Sequence, residues 1–310
     1  MQIITDALSH TTVGQPVSSG NLIMFPLLNG GEEIADYLTL DDAIKQGQAV
    51  VTEVSKSGSV PELSFNNKGA LPVLLVDGEE LIGAKQNRIL NLSILAPAHQ
   101  KLNIPVSCVE RGRWSYRSAA FSSAPRAQFA AARANKLASV SFSLRERGRA
   151  DSDQGAVWHD IDRMADDLEV TSATSAMSDI YQSYSANLDE CVQKFSPVEA
   201  QVGAAFAING EIIGFDLFDR ASTLAKLLPK LVSSYAIQAL SRRAAEGDKA
   251  PREEAVREFL DAVSNSQGCS FTATGEGEDV RIEEAGLSAA ALVAKGRLIH
   301  LCGFRVKRSQ

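Results

Sequence analysis

The run Asp-Gly-Glu-Glu-Leu-Ile-Gly-Ala-Lys-Gln-Asn-Arg from Asp77 to Arg88 sets Asp77, Glu79, Glu80, Lys85 and Arg88, with the amides Gln86 and Asn87, around two glycines and between apolar segments. Polar side chains at that density belong at the rim of a sheet, facing a cleft. If 85–95 is one strand, Arg88, Leu90, Leu92 and Ile94 share a face, and Gln86 and Arg88 form its polar end. A second strand over Pro105–Glu110 aligns Val106, Cys108 and Glu110, and Arg111, Arg113 and Trp114 follow directly. Glu79 and Glu110 are the candidate acid and base. Arg88, Arg111 and Arg113 are a candidate anion clamp, because a guanidinium grips phosphate or carboxylate through two parallel hydrogen bonds. Lys85, Gln86 and Asn91 add polar contacts, and Trp114 offers a ring for stacking. The bland alternative is a structural ion-pair network at a sheet rim. Cys108 reads as a small buried hydrophobe, since no histidine lies nearby in sequence to activate it.

The elements that must position these residues alternate in uneven blocks. Strand signals dominate the first 120 residues: 21–28, closed by Asn29-Gly30-Gly31; 49–54; and then 71–110, with Asp77-Gly78 as a hairpin-type turn. Thr39 or Asp41 caps a short helix. The 121–196 block reads as helical, with Pro125 opening a helix over 126–137, a polar exposed loop at 145–154, and helices over 154–168 and 177–192. From 197 the pattern is mixed, with hairpins at Asn209-Gly210 and Lys295-Gly296, a helix over 222–239 containing Pro229, and a more exposed one over 252–263. The reading is an α+β protein: an antiparallel β-rich N-terminal part, a sheet or β-roll, packed with a helical middle and further β-hairpins. The expected organisation is one composite domain over 1–310.

Length and composition fit a globular protein: 310 residues, 45% hydrophobic, with a net charge of −7. No secretory leader and no run long enough to span a bilayer is legible, so a cytoplasmic protein without membrane contact is expected. The four cysteines are widely spaced, and the four histidines form no HExxH or HxH pattern, which offers no metal site. No GxGxxG or P-loop motif occurs, so no cofactor is evident. Between Arg111 and Arg149 nine basic residues stand against the single acid Glu146, a local +8. Such a block suits an anion, or else is a surface partly covered by the acidic remainder. Trp114, Tyr116, Phe121 and Phe129 interleave with it, a pattern that also fits single-stranded nucleic acid, although the chain is acidic and carries no RNA-binding motif.

Gly78-Glu79, the run 83–88, Asn91, the run 105–110 and Arg113-Trp114 resemble the ADP-ribosylglycohydrolase- and rhodanese-phosphatase-associated protein domain, a family formerly classed as a domain of unknown function. Asp153-Gln154 with Val157-Trp158, Ile208 through Glu211 leading to Gly214, and Leu231 through Ala236 extend the resemblance over most of the chain. The family takes its name from gene neighbours, so the resemblance implies a link to ADP-ribose or NAD metabolism by association and supplies no reaction. It marks Glu79, Lys85, Gln86, Arg88, Cys108, Glu110, Arg113 and Trp114, with Gln154 and Asp216 as weaker additions. The leading expectation is binding or processing of a small phosphate-bearing ligand in a cleft formed by 77–88 and 106–114. The alternatives are a noncatalytic adaptor, using the basic block and 181–192 to hold a partner protein, and a single-strand nucleic-acid binder. Neither catalysis nor oligomeric state is legible. On the single-cleft reading, the 78–88 and 106–114 segments lie side by side.

Overall fold

The computed structural model describes residues 1–30, 33–34, 36–55, 58–242 and 251–306. They form two compact units: Met1–Ile34, Ala186–Thr272 and Gly277–Gln310 make the first, and Ala35–Ser185 with Ala273–Glu276 the second. These units cut across the linear blocks, since the first 34 residues fold with the C-terminal part.

The chain begins in the first unit with α1 (Gln2–Ser9), β1 (Thr12–Val13), β2 (Val17–Ser19) and β3 (Leu22–Leu28). Gly31, in the turn expected after β3, lies outside the described residues. The second unit opens with β4 (Leu38–Thr39) and α2 (Leu40–Lys45), where the Thr39 hydroxyl accepts the Asp42 N–H at 3.3 Å as the expected cap. Eight strands follow: β5 (Ala49–Glu53), β6 (Glu62–Asn67), β7 (Val73–Leu75), β8 (Glu79–Gly83), β9 (Arg88–Leu90), β10 (Ile94–Ala96), β11 (Lys101–Cys108) and β12 (Phe121–Ala127). Six of them close into a barrel in the order β11-β6-β5-β12-β8-β9, while β10, β7 and β4 form a small separate sheet. Closure follows from the alternation: Val51, Phe65, Leu81, Leu90, Ile104 and Val106 project from every second position into one dry interior.

Several local expectations are corrected. Pro125 does not open a helix; it sits in β12, where the register jumps between Ser123↔Leu81 and Ala127↔Glu79. Proline has no N–H for the ladder, so it occupies the irregular stretch of the strand. The helix begins later, as α3 (Ala130–Arg147), and occupies the first residues of the expected 145–154 loop before ending at Gly148, whose φ is +65°. Asp77-Gly78 is a turn but not a hairpin, because β7 pairs with β4 and β10 while β8 joins the barrel. The 85–95 strand is split into β9 and β10 by Asn91–Ser93, each half serving a different sheet. The unit continues with α4 (Gln154–Asp167), capped by the Asp153 carboxylate accepting from Ala156 N–H, and α5 (Met177–Ser183). The helix expected over 177–192 breaks at Tyr184 into α5 and α6 (Ser185–Lys194).

Back in the first unit run β13 (Gln201–Ile208), β14 (Glu211–Phe218), α7 (Ala221–Leu240), α8 (Glu253–Asn265), β15 (Gly268–Thr272), β16 (Glu278–Glu284), β17 (Leu287–Ala294) and β18 (Arg297–Arg305). Asn209 and Gly210 have φ of +49° and +74°, the left-handed pair that a two-residue hairpin needs. With β1 to β3 these strands make an antiparallel sheet. One face packs Phe25, Phe215 and Leu301 against Ile4, Leu8, Phe259 and Leu260 of α1 and α8. On α7, Tyr235 stacks on Phe206 with ring centroids 4.0 Å apart. Among the described residues no helix is long and apolar enough to cross a membrane.

Phe65 is wholly buried inside the barrel and Phe142 on α3 is exposed. Phe65→Ala is expected to cost about 3–5 kcal/mol in denaturant unfolding. Phe142→Ser is expected to stay within about 0.5 kcal/mol of wild type.

Candidate functional site

Strand register turns the polar segment into a barrel mouth. Directly opposed residues on antiparallel strands point to the same side. Leu81 is interior and faces Arg88, which faces Cys108, so both point inward. Leu63 is interior and faces Glu53, so Glu53 points inward too. Arg88, Cys108 and Glu53 are thus the last inward-facing residues of β9, β11 and β5, beyond the apolar interior, at the end where residues 84–87 and 109–120 link the strands.

Arg113 holds this end together. Its Nε and Nη2 donate to Glu110 Oε1 and Oε2 at 2.8 and 2.6 Å; Nη1 reaches the carbonyls of Ala84 and Ser115 at 2.7 and 2.8 Å, and Nη2 also Asn87 Oδ1 at 3.1 Å. Glu110 further accepts from the Asn87 N–H and the Thr174 hydroxyl. Burial opposes its ionisation, but the hydrogen bonds from Arg113 and Asn87, with the charges of Arg113 and Arg117, outweigh it and hold the carboxyl below its ordinary range. Both members of the pair are therefore spent on the frame.

Arg88 differs. It is wholly buried, and Nη1 donates to Gln86 Oε1 at 3.0 Å and to the Asn87 carbonyl at 3.3 Å. Its Nε and Nη2 are buried and have no partner. Burial lowers its pKa, partly offset by Cys108 and Glu53. Above it sits Trp114, half exposed, with its ring centroid 5.8 Å from Arg88 Cζ; Lys85 Nζ lies 5.0 Å from the same ring and 5.2 Å from that of Tyr116. Gly58 closes up against Glu53, Lys85 and Trp114, since a Cβ there would stand 3.3–3.4 Å from all three.

The Cys108 thiol donates to Gln86 Oε1 at 3.2 Å, and burial pushes its pKa up. The side-chain amide of Gln154 clamps the Cys108 backbone from both sides, Oε1 accepting its N–H at 2.8 Å and Nε2 donating to its carbonyl at 2.9 Å. Trp158 on α4 is half-buried: its ring lies 5.9 Å from the Arg111 guanidinium and its indole interacts with the Cys108 thiol.

Of the residues singled out from sequence, Lys85, Gln86, Arg88, Glu110, Arg113 and Trp114 gather at this end; the 78–88 and 106–114 segments meet only where Arg88 pairs with Cys108 and the Val109 N–H donates to the Asn87 carbonyl, while β8 runs between β9 and β12. Glu79 and Asn91 do not join them. Glu79 begins β8, about 13 Å of strand from Gly83, and accepts the Val76 N–H at 2.8 Å. Glu79 and Glu110 are therefore not a close acid–base pair. Asn91 bonds the Ala150 carbonyl and Ser107. Arg111 is half exposed and paired to Asp162 at 3.1 Å. Most of the basic block is ion-paired within the unit, with two carboxylates each shared by two cations: Arg113 and Arg117 with Glu110, Arg126 with Glu80, Arg133 and Lys136 with Asp77, Arg111 with Asp162 and Arg149 with Asp151. Glu53 was missed; its only sequence signal is an acid one position past Val51 in strand alternation.

The first unit holds a second cluster that sequence spacing also missed. Asp216 on β14 faces Cys302 on β18, and His300 Nε2 lies 3.2 Å from Asp216 Oδ1. All three are buried, with potential ligand atoms within 4.8 Å of one another, so they are the metal-compatible group among the described residues. The overlooked signal is His300-x-Cys302, two ligand types on one strand face.

The family model for the ARG and Rhodanese-Phosphatase-superfamily-associated Protein domain matches residues 10–304. No curated protein and no solved structure matches the chain.

Arg113→Ala is expected to destabilise by about 3–5 kcal/mol, because it leaves Glu110 charged and buried. Glu110 has a depressed folded pKa, so its contribution is present above the unfolded value near ~4.3 and is lost as pH falls through the folded one. The stability gap between wild type and Glu110→Gln should thus shrink on acidification below about pH 4, read as denaturation midpoints against pH. Cys108 in the native protein should react slowly with iodoacetamide, and Cys108→Ser should leave the fold intact, as mass spectrometry and thermal melts would report.

Proposed function

The chain belongs to that family, and on this premise we propose that its second unit binds a small phosphate-bearing ligand at the barrel mouth, gripped by Arg88. One observation carries the reading: a wholly buried guanidinium with Nε and Nη2 unpartnered. Each unmet buried donor costs about 1–3 kcal/mol, and a chain seldom carries that cost without a ligand to meet it. Arg88 already has Nη1 fixed by Gln86 and Asn87, so its free edge is pre-aimed for two parallel bonds to an anion. Trp114 is the exposed side chain above it, and it moves aside or stacks as the ligand enters. The family's associational tie to ADP-ribose or NAD metabolism makes a nucleotide or ADP-ribose the first ligand class to try.

Arg113, with its donors committed to Glu110 and the backbone, is a positioning residue in this reading, and no general acid or base is assigned. The adaptor and nucleic-acid alternatives lose support because most of the basic block is paired internally. A cytoplasmic location accords with Cys108, Cys191, Cys269 and Cys302 all being free thiols.

Titration calorimetry with ADP-ribose, AMP and inorganic phosphate is the test. Arg88→Met is expected to weaken binding about ten- to a hundredfold, with Arg252→Ala as a neutral control. The same Arg88→Met protein should melt at or above the wild-type temperature, since it removes unmet donors. If none of the three binds wild type below millimolar concentration, the reading fails.

A further inference from the structure

A second orphan faces the first. Glu53 Oε2 is buried without a partner, while Oε1 accepts the Lys85 N–H at 3.4 Å. The strand register that turns Arg88 into the barrel mouth turns Glu53 into it as well, and the two are close enough to feel each other's charge without forming an ion pair. Opposite charges left unjoined within one buried mouth imply a molecule between them that satisfies both. It needs acceptor oxygens for Arg88 and a hydrogen-bond donor for Glu53.

Resting on the proposed anion site, we infer that the ligand is a hydroxylated sugar phosphate, or the sugar-phosphate part of a larger nucleotide, with its phosphate on Arg88 and a sugar hydroxyl donating to Glu53. Charge decides between the two kinds of donor. Arg88, Lys85 and Arg117 make the rim of the mouth basic around Glu53, while Glu110 is committed to Arg113. A zwitterion with an ammonium on Glu53 brings no net negative charge to that rim. An anion with neutral hydroxyls does. A carboxylate accepts a hydroxyl in a short, charge-assisted bond, and this gives the site a means to prefer a sugar phosphate over bare phosphate.

Calorimetry with ribose 5-phosphate, inorganic phosphate, ribose and glycine tests the inference on wild type, Glu53→Gln, Glu53→Asp and Arg88→Met, each first checked by thermal melt. Glu53→Gln keeps an oxygen for the Lys85 N–H, and Glu53→Asp keeps the charge but shortens its reach. Wild type should bind ribose 5-phosphate about tenfold more tightly than phosphate, and Glu53→Gln should shrink that ratio to about threefold or less. Phosphate affinity itself should hold or rise in Glu53→Gln, because a negative charge has left the mouth. A ratio near one in wild type, or one unchanged in both Glu53 variants, overturns the sugar assignment while Arg88-dependent phosphate binding stands. Glycine binding more tightly than ribose 5-phosphate overturns it in favour of an ammonium donor. Absence of any binding that Arg88→Met abolishes overturns the anion site and this inference together.

Discussion

The buried pair of Glu110 and Arg113 is the constraint on which the barrel mouth depends. Removing two charges from water is costly, and such a pair contributes little net stability compared with well-packed apolar groups. What it contributes is position. Five guanidinium donors reach the carboxylate of Glu110, the carbonyls of Ala84 and Ser115, and the amide of Asn87, joining the 84–87 turn to the 109–120 segment. The turn it holds is a demanding one. Gly83 has φ +135°, and a Cβ there would stand 2.5 Å from the Ser118 hydroxyl; Ala84 is itself left-handed at φ +36°. With that turn pinned, β9 begins at Arg88 with its side chain inward.

Within one unit, residues of one type serve opposite ends. Arg113, Arg126 and Arg133 are paired with Glu110, Glu80 and Asp77: the first fixes the 109–120 segment, the second joins β12 to β8, and the third ties α3 to the turn before β8. Arg88 has its backbone in the ladder and half its guanidinium fixed, yet its other edge is unmet. Burial alone does not separate the two roles, since all are buried or nearly so. Hydrogen-bond completeness does, because an unmet donor in a dry interior is tolerated where binding supplies its partner. The same criterion brings in Glu53, a residue that charge density and motif content pass over.

Local physics made much of this legible from the chain. Apolar residues in 49–54, 85–95 and 105–110 marked β structure, Asn209-Gly210 marked a hairpin, and Thr39 or Asp41 marked a helix start, because each depends only on neighbours a few residues away. The α+β class followed from the same signals. Pro125 misled because its preset φ suits both a first helical turn and an irregular strand, and only pairing with β8 decides between them.

What the sequence determined by itself was the α+β class, most of the elements, the family, and the gathering of Lys85, Gln86, Arg88, Glu110, Arg113 and Trp114, whose two segments are joined by a short connection. What only the tertiary structure decided was which charges meet. Asp77 lies 56 positions from Arg133, Glu80 46 from Arg126, and Asp216 84 from His300. Chain closure brings such residues together, and residue type is silent about it. Charge composition therefore reports how many cations a segment carries, whereas barrel register reports which of them remain unsatisfied, and the second quantity is the one that points to Arg88 and Glu53.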